Sequence, residues 1–194
     1  MNPRKVILAS QSKQRYKLFK TLNIDFKVKP AKIDEQNIQA SSQVERAKKV
    51  ASAKAQEVSN QKPRDIVVAA DTYGIADERV LEKPTSKKEA KSMLKFLSAR
   101  KFQALTGFCY LDPVENINYK VTKVVQVKFR KLSVEEIDHY VKTEPVLTWS
   151  AAFSPAYDTG MALIASISGS LTAFTHGLPI EELTKFLRKS RVYK

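Results

Sequence analysis

The chain holds one cysteine, Cys109, in 194 residues. That scarcity excludes an internal disulfide and any zinc site built from several thiolates. Histidine is almost as rare: His139 falls on a polar helix face and His176 precedes Gly177-Leu178-Pro179, so the two do not form a metal pair. No apolar run approaches the ~20 residues of a membrane-spanning helix. The opening Met1-Asn2-Pro3-Arg4-Lys5 turns polar too soon for a signal peptide. These absences point to a cytoplasmic protein. Acidic residues are also short, 20 against 34 Lys and Arg, for a formal net charge of +14. The first 62 residues carry +9 of it, 14 Lys/Arg minus 5 Asp/Glu. Such a field attracts polyanions, whether nucleic acid, an anionic membrane surface or nucleotide phosphates, without choosing among them. Internal repeats, low-complexity tracts and linkers are missing too, while the 43% hydrophobic content is ordinary for a globular chain. The length suits one domain, residues 1–194, with two lobes.

What is present reads as mixed α/β. Val6 to Ala9 reads as a strand, and Ser12 caps a helix carrying Tyr16, Leu18, Phe19 and Leu22. The alternation from Ile24 to Lys29 predicts a half-exposed strand. Three capping boxes, opened by Ser42, Ser86 and Ser133 with Glu three residues on, start helices running to Val58, Leu97 and Val141. Ile66 to Ala70 is a strand buried on both faces that stops at Asp71-Thr72. Phe102 to Leu111 and Tyr119 to Phe129 form a hairpin, and Met161 to Ile167 with Leu171 to Phe174 form another about Ser168-Gly169-Ser170. Pro179 stands in the first turn of a basic helix with Ile180, Leu183, Phe186 and Leu187 on one side.

Asp71 is the leading candidate for chemistry. A carboxylate at the end of a buried strand is costly unless paired, and ligands of open α/β sheets bind at that end of the strands. The segment Ser10-Gln11-Ser12-Lys13-Gln14-Arg15, where a strand feeds a helix, offers free N–H groups, hydroxyls and cations to an anion. It has no glycine, so it is neither a Walker loop nor a dinucleotide fingerprint. Its plainer reading is a Ser12 cap with Lys13 and Arg15 in solvent. Lys54 falls on the inward stripe of its helix with Ala47, Ala51 and Val58, which requires snorkelling or an anionic partner. Lys83 precedes Pro84 at a chain turn, and Glu35 is the natural second carboxylate for a metal. Cys109 reads as a packed thiol. Trp149 and Tyr157 are either stacking platforms for a base or core.

In their order along the chain these pieces resemble the Maf family of nucleoside triphosphate pyrophosphatases. The blocks are Leu8-Ala9-Ser10-Gln11-Ser12 with Arg15, Asp34-Glu35, Ala53-Lys54-Ala55, Ala70-Asp71-Thr72, Leu81-Glu82-Lys83-Pro84, Thr106-Gly107, Gly169-Ser170 and Gly177-Leu178-Pro179. The resemblance implies an elongated mixed sheet with flanking helices and two lobes around a cleft, like the inosine-triphosphate pyrophosphatases, often as a homodimer. It implies hydrolysis of a nucleoside triphosphate to monophosphate and pyrophosphate with Mg²⁺ or Mn²⁺, and links to removal of non-standard nucleotides and to septum formation. By position, Asp71 is the proton acceptor, Glu35 and Asp71 face the metal, and Ser10, Ser12, Arg15, Lys54 and Lys83 bind phosphate. Gln14 and Thr72 fall at specificity positions. Thr72 agrees with the branch acting on dTTP and UTP, whereas Gln14 replaces its Arg. The segment from Trp149 to Tyr157 departs from the family pattern, including the third specificity position near Pro155 to Tyr157. A pyrophosphatase for a modified purine nucleotide, or a nucleotide- or RNA-binding protein without turnover, are the alternatives; no RNA-recognition signature is present, so nucleic acid ranks below nucleotide as partner.

Overall fold

The structure is a computed structural model that describes residues 4–156 and 158–193. In chain order the elements are β1 (Val6–Leu8), α1 (Lys13–Lys20), β2 (Phe26–Val28), α2 (Gln43–Gln61), β3 (Ile66–Ala76) and β4 (Arg79–Leu81). Next come α3 (Lys87–Leu97), β5 (Lys101–Asp112), β6 (Ile117–Phe129) and α4 (Val134–Thr143). The chain closes with α5 (Asp158–Met161), β7 (Ile164–Ser168), α6 (Leu171–Thr175) and α7 (Ile180–Lys189). The strand order is β2-β1-β3-β5-β6-β7, with β4 paired to β3. This is the mixed α/β sheet with flanking helices expected from the pattern of elements. No helix among the described residues is long and apolar enough to cross a membrane.

Two compact units divide the chain: residues 1–72, 106–123 and 176–194, and residues 73–105 and 124–175. In the first, β1 pairs in parallel with both β2 and β3, Leu8 standing opposite Val28 and Val68. Strand alternation then sorts the side chains onto two faces. Val6, Leu8, Ile66, Val68, Ala70, Phe108 and Tyr110 pack with Leu18 and Phe19 of α1 and with Leu183, Phe186 and Leu187 of α7. Ile7, Val67, Ala69, Cys109 and Leu111 pack under Ala51, Ala55 and Val58 of α2. Helix α2 lies very close to the sheet because Gly107 has no Cβ: one added there would stand 1.9 Å from the backbone oxygen of Ala47.

The second unit has its own core, centred on Leu94, Leu97, Phe102, Phe129, Ile137 and Phe153. Trp149 packs against that core, which makes it a packing residue. Tyr157, the other stacking candidate, lies outside the described residues. Ala151 and Ala152 take left-handed backbone conformations, φ 58 and 61.

Four expectations are corrected. The strand carrying Asp71 does not stop there; β3 runs on to Ala76, because Asp71 and Thr72 find polar partners and Gly74 to Ala76 pair with β4. The second hairpin is instead strand β7 followed by helix α6: Gly169 turns at φ +127 and the Ser170 hydroxyl accepts from Ala173 N, capping a helix. Of the three capping boxes only Ser133–Glu136 is reciprocal. Ser42 and Ser86 accept their bonds from Glu45 N and Glu89 N, but the Glu45 carboxylate pairs with Lys48 and that of Glu89 turns to Thr85. Finally, β2 covers only Phe26–Val28, with Val28 exposed.

Candidate active site

All the site residues named in this subsection, Lys83 excepted, belong to the first unit. Just past Leu8 and Ala70 the polar side chains Ser10, Asp71 and Thr72 interrupt the apolar runs, and a polar cluster forms there on each face of the sheet.

On the α2 face, alternation aims Asp71 the same way as Val67 and Ala69. The Lys54 ammonium meets it there, donating to Asp71 Oδ1 at 2.9 Å and standing 2.9 Å from Glu35 Oε1. Ala47 and Lys54 lie two turns apart on α2, so the close approach at Gly107 also sets the height of this lysine above the strand. Glu35 reaches the ammonium from the loop after β2, which α2 holds in place: Arg46 donates to the Glu35 carbonyl and Lys49 to that of Gln39. The Asp34 carboxylate is spent inside the loop on Gln36 N and Asn37 Nδ2. The Lys54 and Asp71 side chains are 12% and 13% exposed, against 48% for Glu35. The Asp71 arm is therefore the strongly desolvated one, whereas an exposed pair such as the Glu35 arm is worth about 0–1 kcal/mol.

On the other face Ser10, Thr72 and Thr106 line up with Leu8, Ala70 and Phe108. Arg15, two residues into α1, turns onto them. Its Nη1 donates to Ser10 Oγ at 3.0 Å, its Nη2 to Thr72 Oγ1 at 3.1 Å and its Nε to the Gly177 carbonyl at 2.9 Å. Thr72 Oγ1 is in turn 3.1 Å from Thr106 Oγ1. Gly177 can approach so closely only without a side chain, at φ +64. Burial holds the Arg15 guanidinium pKa below its ordinary value, outweighing the upward push of the Asp71 and Glu35 charges. Ser12 caps α1, accepting from Arg15 N at 3.4 Å, and its own N–H donates to Ser10 Oγ.

The structure thus gathers Ser10, Ser12, Arg15, Glu35, Lys54, Asp71 and Thr72 in one unit. Gln14 is half-buried on the first turn of α1, and Lys13 is exposed. Lys83 lies in the second unit, exposed, just after β4. Sequence reasoning did not place Thr106 and Gly177 in the site. Their signal was present in the blocks Thr106-Gly107 and Gly177-Leu178-Pro179, but a lone threonine in a strand and a glycine before a helix have common structural uses. His139 is exposed, and His176 is half-buried with its pKa lowered by burial and by Lys17. Burial pushes the Cys109 thiol up to about 11, as befits a packed thiol.

The arrangement brings together the Asp71 and Glu35 carboxylates, the Lys54 ammonium, the Arg15 guanidinium and the hydroxyls of Ser10 and Ser12 at a helix start. The chain is similar to known proteins over nearly its whole length. The family model described as Maf-like protein matches residues 5–190. A dTTP/UTP pyrophosphatase of Aquifex aeolicus is 34% identical over 185 residues, 95% of each chain. One of Symbiobacterium thermophilum is 36% identical over 182 residues, 94% of this chain and 92% of its own, and one of Pyrococcus furiosus is 31% identical over 184 residues. Among solved structures, a HAM1 protein from Coxiella burnetii shares the fold with TM-score 0.51 and 17% identity, covering 96% of this chain and all of its own.

Proposed function

The chain belongs to the Maf-like protein family, and from that premise we propose that it is a cytoplasmic enzyme hydrolysing nucleoside triphosphates to the monophosphate and pyrophosphate, with dTTP and UTP as the preferred class. The observation that carries the reading is the Lys54 ammonium 2.9 Å from both Asp71 and Glu35, just beyond the parallel pairing of β1 with β3. Attack of water at the α-phosphorus needs a proton acceptor, and Asp71 is the desolvated carboxylate there. Lys54 orients that carboxylate through its hydrogen bond. The guanidinium of Arg15 and the hydroxyls of Ser10 and Ser12 hold phosphate oxygens that are anionic in the bound triphosphate and in the leaving pyrophosphate alike, so their contribution is to binding. The family resemblance adds Lys83 as a further cation for the triphosphate.

Glu35 and Asp71 also fit a divalent ion. Their hard oxygens already converge on one cation, and Mg²⁺ characteristically takes one or two carboxylates and completes its shell from substrate phosphates and water. No group of three or more His, Cys, Asp and Glu gathers among the described residues. When bound, Mg²⁺ or Mn²⁺ supplies charge neutralisation on the phosphate oxygens. Two features support the preference for dTTP and UTP: Thr72, which the pyrimidine branch shares, and the named activity of the relatives above.

The test is pyrophosphate release from a panel of standard and modified nucleoside triphosphates with Mg²⁺ or Mn²⁺. Asp71→Asn is expected to lose turnover by about 10²-fold or more while keeping the wild-type circular dichroism spectrum. Undiminished turnover in Asp71→Asn overturns the assignment of the base.

A further inference from the structure

The specificity position Thr72 does not stand alone. Its single hydroxyl oxygen accepts from Arg15 Nη2 at 3.1 Å and also contacts Thr106 Oγ1 at 3.1 Å. Thr106 is fully buried on β5, so it cannot itself reach a nucleotide. We propose that Thr106 is a positioning residue for triphosphate binding, acting through Thr72 on the Arg15 guanidinium; the proposal rests on the functional reading above.

A threonine hydroxyl has one proton and two lone pairs. Arginine can only donate, so its bond takes one lone pair of Thr72. Whichever hydroxyl gives the proton to the other, the Thr72–Thr106 bond uses the second bonding direction of Thr72 and fixes its rotor. With the rotor fixed, Arg15 has three anchors on three different segments: Ser10 after β1, Thr72 on β3 and the Gly177 carbonyl before α7. Without the Thr106 hydroxyl, Thr72 Oγ1 is held by its bond from Arg15 alone, so the side chain can leave that rotamer and the third anchor of Arg15 weakens. Arg15 then spends part of its time off the position at which it meets phosphate. The chemistry at Asp71, on the opposite face of β3, is untouched, so binding weakens more than turnover.

The experiment compares wild type, Thr106→Val, Thr106→Ala, Thr106→Ser and Arg15→Lys, with the Thr106→Val change repeated in the Arg15→Lys background. KM and kcat come from pyrophosphate release, and Kd from calorimetric titration with the non-hydrolysable deoxyuridine 5′-(α,β-imido)triphosphate. Thr106→Val is expected to raise KM and Kd about five- to tenfold with kcat changed less than twofold, and Thr106→Ser to restore both. In the Arg15→Lys background the same change should add nothing, because its route runs through Arg15. Thr106→Ala stands in if the valine variant fails to fold. Wild-type KM and Kd in the variants, or effects that multiply fully with Arg15→Lys, overturn the proposal. A wild type that binds the analogue without releasing pyrophosphate sinks the hydrolase reading alone, since Kd still decides the role of Thr106. A wild type that neither binds nor hydrolyses removes both.

Discussion

Replacing Gly177 by alanine probes the site where the backbone comes closest to it. The residue sits at φ +64, a conformation in which an L side chain costs about 1–2 kcal/mol. A Cβ there would stand 2.7 Å from Thr72 Oγ1, and 3.2 Å and 3.3 Å from Arg15 Nη2 and Nε. The first distance is inside van der Waals contact, and Thr72 is a short side chain on a central strand that cannot swing away without breaking its bonds to Arg15 and Thr106. Arg15 must then give up one of its bonds, and a hydrogen bond from a charged group contributes about 1.5–3 kcal/mol. The sum is a loss of about 2–5 kcal/mol of stability. A displaced guanidinium should also lower kcat/KM about tenfold for each 1.4 kcal/mol of lost phosphate binding. Urea unfolding and pyrophosphate release measure the two quantities. Gly177→Asn separates them: asparagine tolerates the left-handed region yet brings the same Cβ. It should regain part of the stability and none of the activity. Wild-type kcat/KM in Gly177→Ala would refute the dependence of Arg15 on this close approach.

Two further predictions concern the frame around the site. Gly107→Ala places a Cβ 1.9 Å from the Ala47 oxygen and 2.3 Å from its carbonyl carbon. Both are backbone atoms of α2, so the helix must lift, at a cost of about 3 kcal/mol or more; a melting temperature within a degree or two of wild type would contradict it. Glu182 on α7 pairs with Lys123 at 2.6 Å, their side chains 12% and 26% exposed. Burial raises the Glu182 pKa, but the hydrogen bond and charge of Lys123 outweigh it and the net shift is downward. A carboxylate held below its unfolded value, about 4.3, stabilises the fold above that value and loses the contribution as pH falls through its folded pKa. Glu182→Gln should accordingly be less stable than wild type at pH 7, and the gap should narrow on acidification to pH 3; a constant gap across that range rules out the ion pair as its source.

Local structure was legible wherever a short stretch of chain contains its own cause. Ser12, Ser42, Ser86 and Ser133 cap the helices they precede, because a cap needs only a hydroxyl and an N–H three residues on. Lys54 was legible as a misfit: a lysine on an alanine stripe had either to snorkel or to find an anion, and it found two. The run 161–174 misled, since Leu171 to Phe174 is apolar enough for a strand. The Ser170 cap, visible only with the turn at Gly169, makes it helix.

The sequence alone determined the mixed α/β class, the starts of most helices and the family, and it singled out the charged residues proposed for the site. Each depends on neighbours within a turn or two, or on a colinear order of short blocks. Only the tertiary structure decided that Asp71 and Thr72, adjacent in the chain, serve opposite faces of β3, one toward Lys54 and the other toward Arg15. The third dimension alone turned Arg15 inward onto Ser10, Thr72 and the Gly177 carbonyl, and it brought in Thr106. The physical reason is that these contacts join residues as many as 162 positions apart. Strand register and helix packing on a shared sheet bring such residues together, and no local preference records them.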